Sequence, residues 1–315
     1  MYSLSSYGKM IADAGRIDAY IRALQDAIRP GSVVVDLGCG PGLFALTAIQ
    51  LGARIVFAIE PDDVIQVGRD AAREHGLSDR FQFIQDLSTN ITLPEPADVI
   101  VSDLRGVLPW FAHHLPSIAD ARARFLARDG ILIPARDTLW AATVEVPQHY
   151  EALVQPWNGR YNGFSMTSGR RLAVNNWSKI RVTPESLLSQ PVCWYELDYY
   201  RLDEANFSKD ISLVIARDGT AHGLTLWFDA ELYAGIGFSN APDHEALIYK
   251  SAFFPFQEPL EVSAGDLIDV HLEGRLIGDD YVWRWNTVAK DISFKQSTLL
   301  GIPFSQDRLR KRTQE

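Results

Sequence analysis

Apolar residues recur at helical spacing through residues 9–28, at Met10, Ile11, Ala14, Ile17, Ile21, Leu24 and Ile28, and predict one amphipathic helix closed by Pro30 and Gly31. The period then changes. Val33, Val34 and Val35 form the β-branched run of a strand covered on both faces, Asp36 ends it, and Gly38, Gly40 and Gly42 alternate into an apolar helical stretch at residues 43–51. Glycines let such a turn approach a ligand closely, and the N–H groups of the helix that follows point back over it. Further strands are predicted at residues 54–59, 81–84, 97–101 and 130–134, with helices at 61–75 and 115–127. The alternation gives a doubly wound, Rossmann-like parallel α/β sheet.

Beyond Pro134 the pattern becomes strand after strand, at residues 138–146, 211–216, 224–233, 267–273 and 281–289, with Asp218-Gly219, Gly265-Asp266 and Gly278-Asp279 as turns. A mostly antiparallel β domain follows from this, a barrel or a sandwich. Residues 1–30 are expected to cover the ligand site, 31–134 to form the α/β domain and 135–315 the β domain. No low-complexity linker separates the halves, so they should pack tightly.

The 315 residues suffice for two ordinary domains, and 47% apolar with 22% charged residues is a globular composition. A net charge of −10 argues against a nucleic-acid partner, and the basic cluster at 308–312 reads as a solvated tail. Cys39 and Cys193 are too few for a disulfide framework and fit a reducing compartment. Charges at Lys9, Asp13, Arg16 and Asp18 interrupt any signal-peptide core, and no apolar run approaches the length of a membrane span. The expectation is a cytoplasmic protein with no membrane contact and no metal.

Ligands of an open α/β sheet bind at the carboxyl ends of its strands. Asp36, Gly38, Gly40, Glu60, Asp86 and Asp103 stand there. Asp36 would repel a pyrophosphate but attract an α-ammonium group, directly or through water. Glu60 is placed to take both hydroxyls of a ribose, and Asp86, or a backbone N–H near Leu87, to meet an adenine. Amino acid, ribose and adenine in that order describe S-adenosylmethionine. Asp13, Arg16 and Tyr20 share one helix edge, which by pattern alone reads as a solvated face.

The segments VDLGCGPG, IEPDD and LPEPADVIVSDLRG, with MIADAGRIDAY at the N-terminal helix, resemble the protein arginine methyltransferases. WNGRYNGFSM at 157–166 and FDAELYAGIGFSNAPD at 228–243 are similar to barrel segments of that family, so the resemblance covers most of the chain. It implies S-adenosylmethionine as cofactor, a β-barrel second domain, Arg16 on the cofactor's carboxylate, and a homodimer formed through an arm for which residues 169–190 are the candidate.

The departures fall on the acceptor side. Family members that methylate arginine grip the guanidinium with two glutamates nine residues apart, where this chain has Asp103 and Ala112. The family's Thr-His-Trp loop is replaced by Leu247, Ile248 and Tyr249, and Arg105 adds a positive charge. A dry guanidinium without its paired anion loses about 3–5 kcal/mol. The methyl acceptor is therefore expected to be a small molecule or an unusual protein site rather than protein arginine. Two alternatives remain: arginine methylation with Glu245 or Glu258 completing the clamp, and a non-catalytic cofactor-binding scaffold. Asp103 is the first candidate base, followed by His113 and His114; Tyr249 reads as packing.

Overall fold

The computed structural model describes residues 3–301; the basic cluster at 308–312 lies outside the described residues. The first half is built from α1 (Leu4–Ile11), α2 (Ala14–Ala27), β1 (Val33–Leu37), α3 (Leu43–Gln50), β2 (Ile55–Ile59), α4 (Ile65–Glu74), β3 (Phe81–Ile84), β4 (Ala97–Ser102), α5 (His114–Phe125) and β5 (Leu126–Ile133). Its five strands are parallel, in the order β3-β2-β1-β4-β5. The valine run at β1 takes the central position with every residue buried, as a strand covered on both faces requires.

Two sequence expectations are corrected here. The single N-terminal helix is two, broken at Ala12 and Asp13, because the Asp13 carboxylate does not cap α2 and instead accepts a hydrogen bond from Ile248 N at 2.7 Å. The edge expected to face solvent faces inward: Tyr20 is fully buried and Arg16 is 7% exposed.

The second half comprises β6 (Arg136–Val144), α6 (Pro147–Val154), the short pair β7 (Arg160–Tyr161) and β8 (Phe164–Ser165), α7 (Ser168–Val174), β9 (Ser178–Ile180), β10 (Val192–Asp198), β11 (Phe207–Val214), β12 (Gly219–Tyr233), β13 (Ile236–Ser239), β14 (Ser251–Val262), β15 (Leu267–Ile277), β16 (Asp280–Ala289), β17 (Ile292–Ser297) and α8 (Thr298–Gly301). Among the described residues these strands form two main antiparallel sheets and not a closed barrel: β10-β6-β12-β14-β9 with β13 on β12, and β11-β15-β16-β17. The sheets meet through side chains. Trp285 Nε1 and Gln296 Nε2 of the smaller sheet donate to Pro255 O of β14, at 2.9 and 3.0 Å.

Pro255 lies where β12 and β14 slip register, opposite Gly223. A proline has no N–H to offer a ladder and is tolerated at such a bulge. Gly223 is equally constrained, since a Cβ there would stand 2.3 Å from Phe254 O.

The two halves share one hydrophobic core. Trp110, on the loop between β4 and α5, inserts into the β domain with ring centroids 4.3 Å from Phe207 and 5.3 Å from Trp194. Each such aromatic pair adds about 0.5–1.5 kcal/mol beyond its buried area. No helix among the described residues is long and apolar enough to cross a membrane.

Candidate active site

The glycine turn after β1 adopts backbone angles that suit glycine, with φ of 71° at Gly38 and 52° at Gly40. Gly38 N and Cys39 N both donate to Ile59 O at the end of β2, at 2.9 and 3.0 Å. Glu60 continues the same tie: Gly40 N reaches its Oε2 at 3.0 Å and Asp62 N its Oε1 at 2.9 Å. Both carboxylate oxygens are thereby fixed at the wall of a cavity of 260 Å³ while keeping lone pairs for further donors. Burial pushes the Glu60 carboxyl up, against the pull of these two N–H groups.

Arg16, Gly38, Gly40, Glu60, Asp86 and Leu87 all line this cavity, beneath Tyr7 and Met10 of α1. Asp36 does not line it. The Asp36 carboxylate is buried and accepts the Ala45 N–H at 2.9 Å, bonding the first turn of α3 to the end of β1. Burial pushes Asp36 up to about 7, because an ionised carboxylate there has one backbone donor and Glu60 for a neighbour. Asp86 is exposed and takes Leu87 N and Asn90 Nδ2, at 2.7 and 2.8 Å.

The far wall of the cavity holds Asp103, His113 and His114. Asp103 is enclosed by partners from its own chain. Arg16 Nε and the Tyr249 hydroxyl each lie 2.5 Å from Oδ2, and Arg105 Nε lies 3.6 Å from Oδ1. Burial alone would raise this carboxyl; the two guanidiniums and the hydrogen bonds outweigh it and hold Asp103 below the usual carboxylate range. It is thus a fixed anion and a poor proton acceptor, which corrects its ranking as first candidate base. Tyr249, read as packing, does stack on Phe238 at 5.7 Å but also donates to the key acid.

Behind Asp103 lies a set in which Arg105 and His114 are joined by Asp137 and Tyr199, which the sequence did not single out. Arg105 Nη1 donates to Asp137 Oδ1 at 2.9 Å, the Tyr199 hydroxyl donates to Asp137 Oδ2 at 2.6 Å, and His114 Nε2 lies 3.1 Å from that hydroxyl. All four side chains are buried. Burial, with Arg105 nearby, pushes His114 down to about 3, so its ring is neutral near pH 7. His113 differs: it is exposed at the rim, 2.9 Å from Asp279 Oδ1. Glu245 and Glu258 are exposed and do not line the cavity, so neither completes a clamp with Asp103. Among the described residues no group of three His, Cys, Asp or Glu side chains is placed to hold a metal.

An open parallel sheet with a glycine turn, a pinned strand-end glutamate and a capping pair of helices is the donor half of a class I methyltransferase. Comparison with known proteins extends that reading to the whole chain. The family model for the "Arginine methyltransferase oligomerization subdomain" matches residues 135–288, and that for "Ribosomal protein L11 methyltransferase (PrmA)" matches residues 18–144. The chain is 25% identical to protein arginine N-methyltransferase 1 of Dictyostelium discoideum, over 84% of this chain and 81% of that one. It is 28% identical to the arginine N(omega)-methyltransferase of Streptomyces achromogenes subsp. streptozoticus, over 84% and 74%. The solved structure of the Trypanosoma brucei PRMT1 enzyme-prozyme complex with AdoHcy shares the fold, with a TM-score of 0.85 at 18% identity, over 94% of this chain and 98% of that one. The chain is an S-adenosylmethionine-dependent methyltransferase, similar in both halves to the protein arginine methyltransferases. The cavity fits that cofactor in kind: a Cβ on Gly40 would stand 3.1 Å from the Tyr7 ring, narrowing the cradle, and Glu60 presents both oxygens.

Proposed function

We propose that this enzyme methylates an acceptor other than an arginine guanidinium, a small molecule or an unusual protein site. One observation supports this above all: the acid that would grip a guanidinium, Asp103, is already engaged by Arg16, Tyr249 and Arg105. Two carboxylates, Asp103 and Asp137, face two guanidiniums, Arg16 and Arg105, so the cluster has no net negative charge to offer a cation. A second buried acid is missing at Ala112. Desolvating another guanidinium there without a free carboxylate costs about 3–5 kcal/mol.

When bound, S-adenosylmethionine supplies an already activated methyl group, so the chain's task is mainly to align the acceptor with it. In this reading Arg16 holds the cofactor's carboxylate, the Gly38 and Gly40 backbone meets its amino-acid end, and Asp36, ionised once the ammonium is beside it, acts on that charge through the turn and through water. Glu60 binds the ribose, and Asp86 with Leu87 the adenine. Asp103 orders Arg16 and Tyr249, His114 faces the acceptor and His113 stands at the entrance. Residues 1–30 cover the donor and 31–134 bind it, with the β domain from residue 135 supporting the acceptor-side loop through Trp110.

We further propose a homodimer. Within the candidate arm, residues 169–190 contain most of α7 and the sheet strand β9. The exposed apolar side chains lie just before it, at Tyr161, Phe164 and Met166 on the β7–β8 hairpin. That hairpin is the contact we assign.

The activities for which the relatives are named favour a second reading, arginine methylation. Transfer of labelled methyl from S-adenosylmethionine separates the two, using arginine-rich peptides in one arm and an extract of metabolites and peptides in the other. Label is expected in the extract and not on the peptides; robust arginine labelling would overturn the proposal.

A further inference from the structure

His114, Tyr199 and Asp137 form a continuous buried chain of hydrogen bonds that starts at the cavity wall. Its donor directions are fixed by counting protons. The Tyr199 hydroxyl has one hydrogen and gives it to Asp137 Oδ2 at 2.6 Å. It can therefore only accept from His114, 3.1 Å away, which puts the imidazole proton on Nε2. The other ring nitrogen, Nδ1, is left with its lone pair, and it is a buried atom with no hydrogen-bond partner. His114 is among the residues that line the cavity, and an unpaired buried acceptor there is a position that a donor can complete.

We infer that Tyr199 and Asp137 are positioning residues that hold His114 as the Nε2–H tautomer, so that Nδ1 receives the proton of an uncharged acceptor, a hydroxyl or neutral N–H group, as it is methylated. This rests on the proposed function and names the chemical class of its acceptor.

The step balances. The acceptor atom forms a bond to the methyl carbon while the carbon–sulfur bond breaks, and its electron pair stays on sulfur. The acceptor's proton passes to Nδ1; the Nε2 proton passes to Tyr199, whose own proton passes to Asp137 Oδ2. The ring ends neutral and the carboxylate is discharged as the sulfonium charge disappears. Groups facing this path are Arg105, on Asp137 at 2.9 Å, and Asp103 beyond it. Burial pushes the Asp137 carboxyl up, despite Arg105 and the Tyr199 hydrogen bond, which suits a proton sink, whereas His114 resists becoming a cation next to Arg105.

Nitrogen-15 NMR of histidine-labelled protein tests the tautomer without any acceptor. Two buried Nε2–H histidines are expected, His222, whose Nδ1 accepts the Val146 N–H, and His114; the signal that His114→Ala removes should be neutral and not titrate from about pH 5 to 8, and Tyr199→Phe should lose its fixed tautomer. In labelled transfer to the extract, Tyr199→Phe should slow turnover at least about tenfold, as loss of a general base does, with S-adenosylmethionine affinity by calorimetry unchanged. His114→Ala should lose turnover and regain part of it with added imidazole, a response that lost packing would not give. An Nδ1–H tautomer of His114 in wild type overturns the inference, as does a Tyr199→Phe enzyme with wild-type turnover. If wild type labels nothing in the extract, the proposed function fails, while the tautomer measurement still decides how His114 is held.

Discussion

Asp36, the next-to-last residue of β1, and Asp103, the first residue past β4, are both acids at strand ends, yet their surroundings shift them in opposite directions. Asp103 has two guanidiniums and a hydroxyl around it and stays ionised; Asp36 has a single backbone donor and is pushed up to about 7. The folded chain therefore keeps a proton on Asp36 that the unfolded chain releases near pH 4. Stability from this group is full below the unfolded value and is lost as pH rises through about 7. Asp36→Asn keeps an oxygen for the Ala45 N–H and removes the titration. Urea unfolding should show the variant gaining on wild type by more than about 1 kcal/mol between roughly pH 4.5 and 7.5; a constant difference would contradict the buried proton. At this scale the donor site was legible, since glycines and acids at strand ends report themselves locally. Asp137 and Tyr199 were not, because each reads as a residue of an ordinary strand region and gains its meaning only from Arg105 and His114, distant in sequence.

Among the elements, β12 and β14 show most clearly what periodicity reveals and conceals. The sequence pattern found β12 from residue 224, close to its apolar run, but not β14, whose Pro255 and Pro259 count against a central strand. The bulge resolves that conflict: the register slips between Ala221 and Gly223, which puts Pro255, opposite Gly223, at an irregular point of the ladder where a missing N–H is tolerated. Gly223→Ala should accordingly destabilise the protein by about 1–3 kcal/mol, the usual cost of overpacking, since the added Cβ meets a backbone oxygen at 2.3 Å. Chemical unfolding with an unchanged midpoint would mean that the strand pair has slack. The split of the N-terminal helix had a different cause. Its apolar period runs straight through Asp13, and the break reflects a tertiary partner, Ile248 N, some 230 residues on. Sheet closure was also beyond the pattern, because alternation fixes which face is buried and not whether edges meet.

For the whole molecule, the exposed side chains of the β7–β8 hairpin have a simple consequence. Phe164, 70% exposed beside Tyr161 at 54%, is expected to lie in the proposed dimer contact. Phe164→Asp should convert a dimer to a monomer by light scattering while leaving the fold's unfolding transition in place; an unaltered mass would remove the hairpin from the interface. The succession of an α/β and a β half was readable from the switch in period, whereas their joint was not, since nothing local marks Trp110 as a β-domain residue. That tryptophan sits seven positions after Asp103 and three before His113, on the loop that walls the acceptor side. The loop is thus anchored at one end in the donor sheet and in its middle in the aromatic core of the other half. The two walls of the cavity therefore lean on different supports. Substitutions at Phe207, Trp194 or Trp283 would reach the loop that carries His113 and His114 through Trp110, while the glycine turn and Glu60 rest on the parallel sheet and would go on presenting the same donor.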